Sequence, residues 1–268
     1  MTLCLRTLAL QALTLSDPQL KCTQVHSLWQ SHCAGQLQLD PSLPLVAETS
    51  IPGRPARPAL VPPRLLQRRA MNTVDGRAAL IHALAHIEFN AINLALDAMW
   101  RFTDMPADYY HDWLLVAKEE AYHFGLLREH LQSLGYDYGD FDGHNSLWEM
   151  VEKTQADVLA RMALVPRTLE ARGLDAAPPL KHKLAQAGDH AAAAILDIIL
   201  RDEIGHVSIG NRWFQYLCDQ RGLELLQTFE SLRLQYQAPK LRPPFNMQAR
   251  KQAGFTEAEL AYLNADVS

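Results

Sequence analysis

Two Glu-x-x-His motifs, each preceded by a lone glutamate at nearly the same distance, constrain this chain more than any other feature. The first set is Glu88, then Glu120 and His123; the second is Glu170, then Glu203 and His206. The lone glutamate lies 32 residues before its motif in the first set and 33 in the second. Glu and His at i and i+3 share one face of a helix, about a turn apart. The flanking residues are apolar at helical spacing: Ile81, Leu84, Ile92, Ala95 and Met99 about Glu88; Trp113, Val116, Leu127, Leu131 and Leu134 about Glu120 and His123; Leu196, Ile199, Leu200, Val207 and Gly210 about Glu203 and His206. The pattern therefore predicts long helices whose buried faces carry acids.

The expected fold is all-α: a four-helix bundle with an N-terminal helical extension, a Pro-rich arm and a short C-terminal helix. Two short helices are predicted within residues 1–34, the second opened by Ser16-Asp17-Pro18. Residues 40–63, with Pro41, Pro44, Pro52, Pro55, Pro58, Pro62 and Pro63, read as an extended crossing segment. Long helices are expected over 74–102 and 106–134. A third runs from Leu147 to Arg172, kinked by Pro166 and stopped near Gly173. A fourth starts after Pro178-Pro179 and reaches Gln220, and a short amphipathic helix covers Thr256–Leu263. Pairs one–two and three–four correspond at an offset of 82–83 residues, an internal repeat. The expected organisation is an N-terminal segment, 1–70, packed on a bundle and tail, 71–268.

Burying one unpaired carboxylate costs several kcal/mol, and burying four close together forces protonation or a counter-charge. Two divalent cations supply that charge and leave both histidines neutral ligands. One Glu from each of two helices plus Glu-x-x-His from each of the other two is the way four-helix bundles hold two iron or manganese ions. Carboxylate-rich ligation with two imidazoles suits iron or manganese better than copper or structural zinc. The expected ligands are Glu88, Glu120, His123, Glu170, Glu203 and His206, holding two iron ions, or manganese.

Several stretches resemble an uncharacterised bacterial family, described as a domain of unknown function, in the ferritin-like superfamily. They are His82-Ala-Leu-Ala-His86-Ile-Glu88, Glu119-Glu120-Ala-Tyr-His123-Phe, Val165-Pro-Arg-Thr-Leu-Glu170-Ala-Arg-Gly-Leu-Asp175 and Asp202-Glu203-Ile-Gly-His206-Val. The likeness covers most of 50–255, including Pro52-Gly53-Arg54-Pro55 and Pro243-Pro244-Phe245-Asn246. It implies a ferritin-like bundle with a di-metal centre and supplies no substrate.

Four further residues are candidates for supporting roles around the ligands. His82 lies nearly two turns before Glu88, and Asp197 could accept the free ring N–H of a ligating histidine. Tyr122 flanks His123, where boundary packing is the default and a redox role the sharper alternative. Arg167, with Arg172, brackets Glu170 and could neutralise outer carboxylates. His86 points to the opposite side of its helix from Glu88 and reads as a hydrogen-bonded core histidine.

A net charge of −5 provides no general attraction to nucleic acid or anionic membranes. Between Thr49 and Val74, however, stand Arg54, Arg57, Arg64, Arg68 and Arg69 and no acid. They suit an arm on an acidic surface; the alternative is a phosphate- or RNA-binding strip, for which interleaved aromatics are missing. Cys4, Cys22, Cys33 and Cys218 form no C-x-x-C pair, and no export signal or uncharged membrane-length stretch is evident, so a cytoplasmic protein with reduced thiols and no membrane partner is expected.

The functional expectation is a di-iron (or di-manganese) oxidoreductase, an O2-dependent hydroxylase or oxygenase of an organic substrate that draws on an external electron donor. The substrate is a small molecule or is borne on tRNA, the latter because some ferritin-like di-iron proteins hydroxylate tRNA. The alternative is iron handling: a ferroxidase or storage protein. The long extensions would crowd a storage cage and favour a monomer or small homo-oligomer. A rubrerythrin-like peroxidase is weakened by the missing C-x-x-C pairs.

Overall fold

A computed structural model describes residues 3–67 and 69–265, and its regular secondary structure is almost entirely helical. It divides into two compact units, Met1–Ser146 and Leu147–Ser268.

The first unit is built on a hairpin of two long helices, α3 (Val74–Arg101) and α4 (Ala107–Ser133). Thr73 opens α3 by accepting the Gly76 N–H at 3.0 Å. Two N-terminal helices, α1 (Leu5–Thr14) and α2 (Pro18–Cys33), pack on α3 and α4 respectively. Asp17 caps α2 at the Leu20 N–H, with Pro18 in the first turn as expected. Leu3–Cys4 pairs in parallel with Leu37–Gln38. α3 is long and apolar enough to cross a membrane by length and composition, but 72% of its most apolar stretch is buried inside the fold.

The Pro-rich segment lies on these helices as an extended arm. Lys21, wholly buried, donates to the carbonyls of Leu13 and Gly53 and to the Asn93 side chain, tying α1, α2, α3 and the arm together. Gly53 is required there: a Cβ would stand 2.1 Å from the Thr14 carbonyl oxygen. Arg54 is half-buried, whereas Arg57, Arg64 and Arg69 are exposed. Arg69 pairs with Asp75 at 2.5 Å; Arg68 lies outside the described residues.

Arg6 secures the other end of the arm. Its buried guanidinium donates to the carbonyls of Met99 and Trp100 at the C-terminal end of α3 and to those of Asp40, Pro41 and Leu43. Carbonyls deprived of a donor each cost about 1–3 kcal/mol when buried. Arg6→Met is therefore expected to lower stability by about 3 kcal/mol or more, measured by urea unfolding; a loss below 1 kcal/mol would show that water replaces the guanidinium.

The second unit corrects the third and fourth helices. The segment expected as one kinked helix is α5 (Ser146–Lys153), α6 (Val158–Leu164), a π-helical turn over Val165–Glu170, and α7 (Ala171–Gln186). The α5–α6 break is held by buried Arg161, which donates to Thr154 Oγ1 at 2.8 Å and the Val151 carbonyl at 2.7 Å. At the π turn, Pro166 has no N–H to give, and the Thr168 hydroxyl takes the Ala163 carbonyl at 2.7 Å, so the helix widens instead of only kinking. Gly173 does not stop the helix, because it has no left-handed backbone. Pro178 and Pro179 lie inside α7, on its exposed side, and the Leu174 carbonyl that Pro178 leaves without a helical donor accepts from Asn246 Nδ2 at 3.1 Å. The actual break is at Gly188 (φ +80°) and Asp189, which caps α8 (His190–Arg221) at the Ala192 N–H. Three short helices follow: α9 (Leu225–Gln235), α10 (Met247–Gln252) and α11 (Glu257–Ala265), the last close to its expected place. Ala249, Ala253, Phe255, Leu260 and Leu263 from this tail form a core with Ala171, Leu174 and Val207.

Candidate metal centre

In the first unit the hairpin brings Glu88 of α3 to Glu120 and His123 of α4. Each offers a ligand atom within 4.8 Å of the others. His123 Nδ1 lies 3.3 Å from Glu88 Oε2 and 3.5 Å from Glu120 Oε2, with all three side chains at 5% exposure or less. Their walls are apolar: Ala85, Ile92, Val116, Ala117 and Leu127 are completely or almost completely buried. Glu88 Oε2 is buried without a hydrogen-bond partner among the described residues.

Burial and then the neighbouring Glu120 carboxylate push the Glu88 carboxyl up from 4.5 to about 8. For His123 burial opposes charge, but the Glu120 and Glu88 carboxylates outweigh it and lift the imidazole from 6.5 to about 11. Both shifts arise from two carboxylates and an imidazole held close together in a buried setting. A protonated histidine balances only one of two carboxylates; a divalent cation balances both and leaves His123 a neutral ligand. Two carboxylates and an imidazole form a donor set suited to a divalent cation.

In the second unit, α8 carries Glu203 and His206 one turn apart, with His206 Nδ1 3.7 Å from Glu203 Oε1. Both are buried, and Glu203 Oε2 has no hydrogen-bond partner among the described residues. Glu170 is the last residue of the π turn and is also buried. All six expected ligands thus sit on buried helix faces, three in each unit.

The supporting candidates are placed otherwise. His82 is buried against the 135–145 loop, its Nε2 accepting the Gly139 N–H at 2.9 Å and its ring stacked on Tyr138. Asp197 is on an outer face, 54% exposed and paired with Lys181 at 2.6 Å, so α8 turns it away from the buried side that carries Glu203. Tyr122 is 42% exposed and lines an open groove of about 390 Å³ with His26 and Arg128. Arg167 is buried, but its charge is matched by Glu259 and it lies over Phe214, Phe229 and Phe255, so it is not spare charge for ligand carboxylates. His86 is a satisfied core histidine: Nε2 donates to the His144 carbonyl at 3.0 Å and Nδ1 accepts from the Tyr138 hydroxyl at 2.9 Å. Spacing could not reveal the Arg167–Glu259 pair, because its members are 92 residues apart.

The family model for a protein of unknown function (DUF455) matches residues 14–261. An uncharacterized protein of Haemophilus influenzae is 48% identical over 262 residues, covering 94% of this chain and 91% of its own length. No solved structure matches the chain.

Proposed function

The chain belongs to the DUF455 family, and we propose that it is a ferritin-like, non-haem di-iron or di-manganese carboxylate oxidoreductase. Glu88, Glu120 and His123, with Glu170, Glu203 and His206, would hold two ions per chain. The observation that carries this reading is the buried Glu88–Glu120–His123 set, whose ligand atoms converge within 4.8 Å. The repeated spacing of the second set, and its own buried donors, support extending the reading to both. Two lone glutamates and two Glu-x-x-His motifs are the pattern with which four-helix bundles hold two ions.

A reduced pair of iron ions would supply electrons for activating dioxygen toward a C–H or N–H bond. The chain's own contribution is to hold ligands in an apolar wall, exclude water through Ile92, Val116 and Leu127, and keep the His123 ring fixed between two carboxylates. An organic substrate and an external electron donor complete the proposal, in a cytoplasmic setting.

The test is elemental analysis of freshly purified protein, followed by oxygen uptake by the reduced protein with fractionated small-molecule extracts and with tRNA. About two iron or manganese ions per chain, and uptake stimulated by one fraction, are expected. Absence of stoichiometric iron or manganese, including after reconstitution, sinks the reading. Iron-driven uptake that no organic fraction changes would favour ferroxidase chemistry.

A further inference from the structure

Glu170 is the one expected ligand carried on a π-helical turn. A π turn has an i→i+5 hydrogen-bond pattern that is rare and occurs mostly as single turns within α-helices, so its placement depends on what packs against it. Here the packing comes from the end of the chain. Three residues before Glu170, buried Arg167 donates through Nε to Asn211 of α8 at 2.8 Å and through Nη2 to Glu259 of α11. Asn211 in turn donates to the Ala253 carbonyl at 2.8 Å. Immediately after Glu170, the Ala171 carbonyl accepts from Arg250 of α10, which also grips Asp175 at 2.6 and 3.0 Å. Gly210 lets α8 close on the same turn; a Cβ there would lie 2.6 Å from the Pro166 side chain.

We propose that the C-terminal segment positions a metal ligand: Glu259 fixes Arg167, a positioning residue, and with Arg250 holds the backbone on both sides of Glu170 in the register that presents its carboxylate. This rests on the metal reading above. Neither Arg167 nor Glu259 need touch an ion. An apolar tail helix would have packed on α7 and α8 without a buried ion pair and without hydrogen bonds to the residues flanking Glu170. Loss of a residue that orients a ligand commonly weakens metal binding about 10–100-fold.

The experiment is cobalt(II) titration of metal-free full-length protein, followed by visible d–d absorption, with helical circular dichroism and melting recorded on each variant. Wild type is expected to bind two ions, and Glu170→Ala to lose tight binding of one. Glu259→Gln, and the double variant Arg167→Met/Glu259→Leu, should keep the helical spectrum yet weaken one of the two ions about 10–100-fold, reproducing the Glu170→Ala absorption change. The double variant matters because apolar replacement of both members of a buried pair is often neutral for stability. If these variants bind both ions like wild type while Glu170→Ala does not, positioning is refuted and the metal reading stands. If wild type binds no cobalt, iron or manganese, the metal reading fails and this inference with it. If even the double variant fails to fold, the pair is a stability element and the proposal falls.

Discussion

Anaerobic addition of iron(II) or manganese(II) to metal-free protein is expected to load two ions per chain and to raise the melting temperature by on the order of 10 °C. A ligand that binds only the folded state at about 100 times its dissociation constant contributes about 2.7 kcal/mol. For a chain of this size each kcal/mol moves the melting temperature by a few degrees. Glu120→Ala should remove tight binding at the first set, because it deletes one of the two carboxylates within reach of His123. In metal-free protein the same substitution removes a carboxylate that supports the His123 imidazolium but relieves Glu88 of a neighbouring charge, so it should cost less than the stabilisation that metal supplies. The combination separates a metal site from a structural cluster. A structural cluster predicts that metal shifts neither protein's melting.

The helices carrying the ligands were legible because their buried stripes repeat at helical spacing through the acids themselves. Ile81, Glu88, Ile92, Ala95 and Met99 are all buried on α3, as are Leu196, Ile199, Glu203, His206, Val207 and Gly210 on α8. Residues 146–190 differ from the expectation because local punctuation competes with tertiary packing. Pro166 signals a kink, but whether the helix bends or widens depends on Thr168 and on Gly210 of α8. Pro178-Pro179 signals a helix start, yet their exposed position lets α7 run through them. The Gly188-Asp189 stop and cap were present in the sequence and were outweighed by the more conspicuous prolines.

The site shows the same division. Ligand identity follows from residue type and i,i+3 spacing, which are local. The supporting residues do not, because they depend on direction around the helix and on segments far along the chain. Asp197 lies six residues from Glu203, yet it is turned to solvent and Lys181. Arg167 was singled out for its nearness to Glu170, but its partner comes from the last helix. The buried cations Arg6 and Lys21 answer mainly to backbone carbonyls, which no sequence pattern marks.

Metal-free protein should lose stability as pH rises from about 6 to 9, and metal should abolish most of that slope. Glu88 has its folded-state carboxyl raised to about 8, against 4.5 when unfolded, so between those values the folded chain holds a proton that the unfolded chain has lost. His123 is raised to about 11, against 6.5; its stabilising proton is fully held below 6.5 and is lost as pH climbs through 11. In both cases the native state binds more protons, so stability declines with pH. One such proton corresponds to a slope of about 1.4 kcal/mol per pH unit, and the two groups share one cluster, which makes a net slope of about 1–2 reasonable. Bound iron or manganese takes the place of those protons, so uptake should release acid and strengthen with pH. Glu88→Gln removes the carboxylate whose ionisation is penalised and weakens the support for His123⁺. The metal-free variant should therefore show a flatter slope and match or exceed wild type at pH 9, while gaining nothing from manganese. Urea unfolding at pH 6, 7.5 and 9, with and without manganese(II), reads all of this at once. A wild-type slope that is flat without metal would mean that the cluster is hydrated, and the argument that metal takes the place of its protons would fail with it.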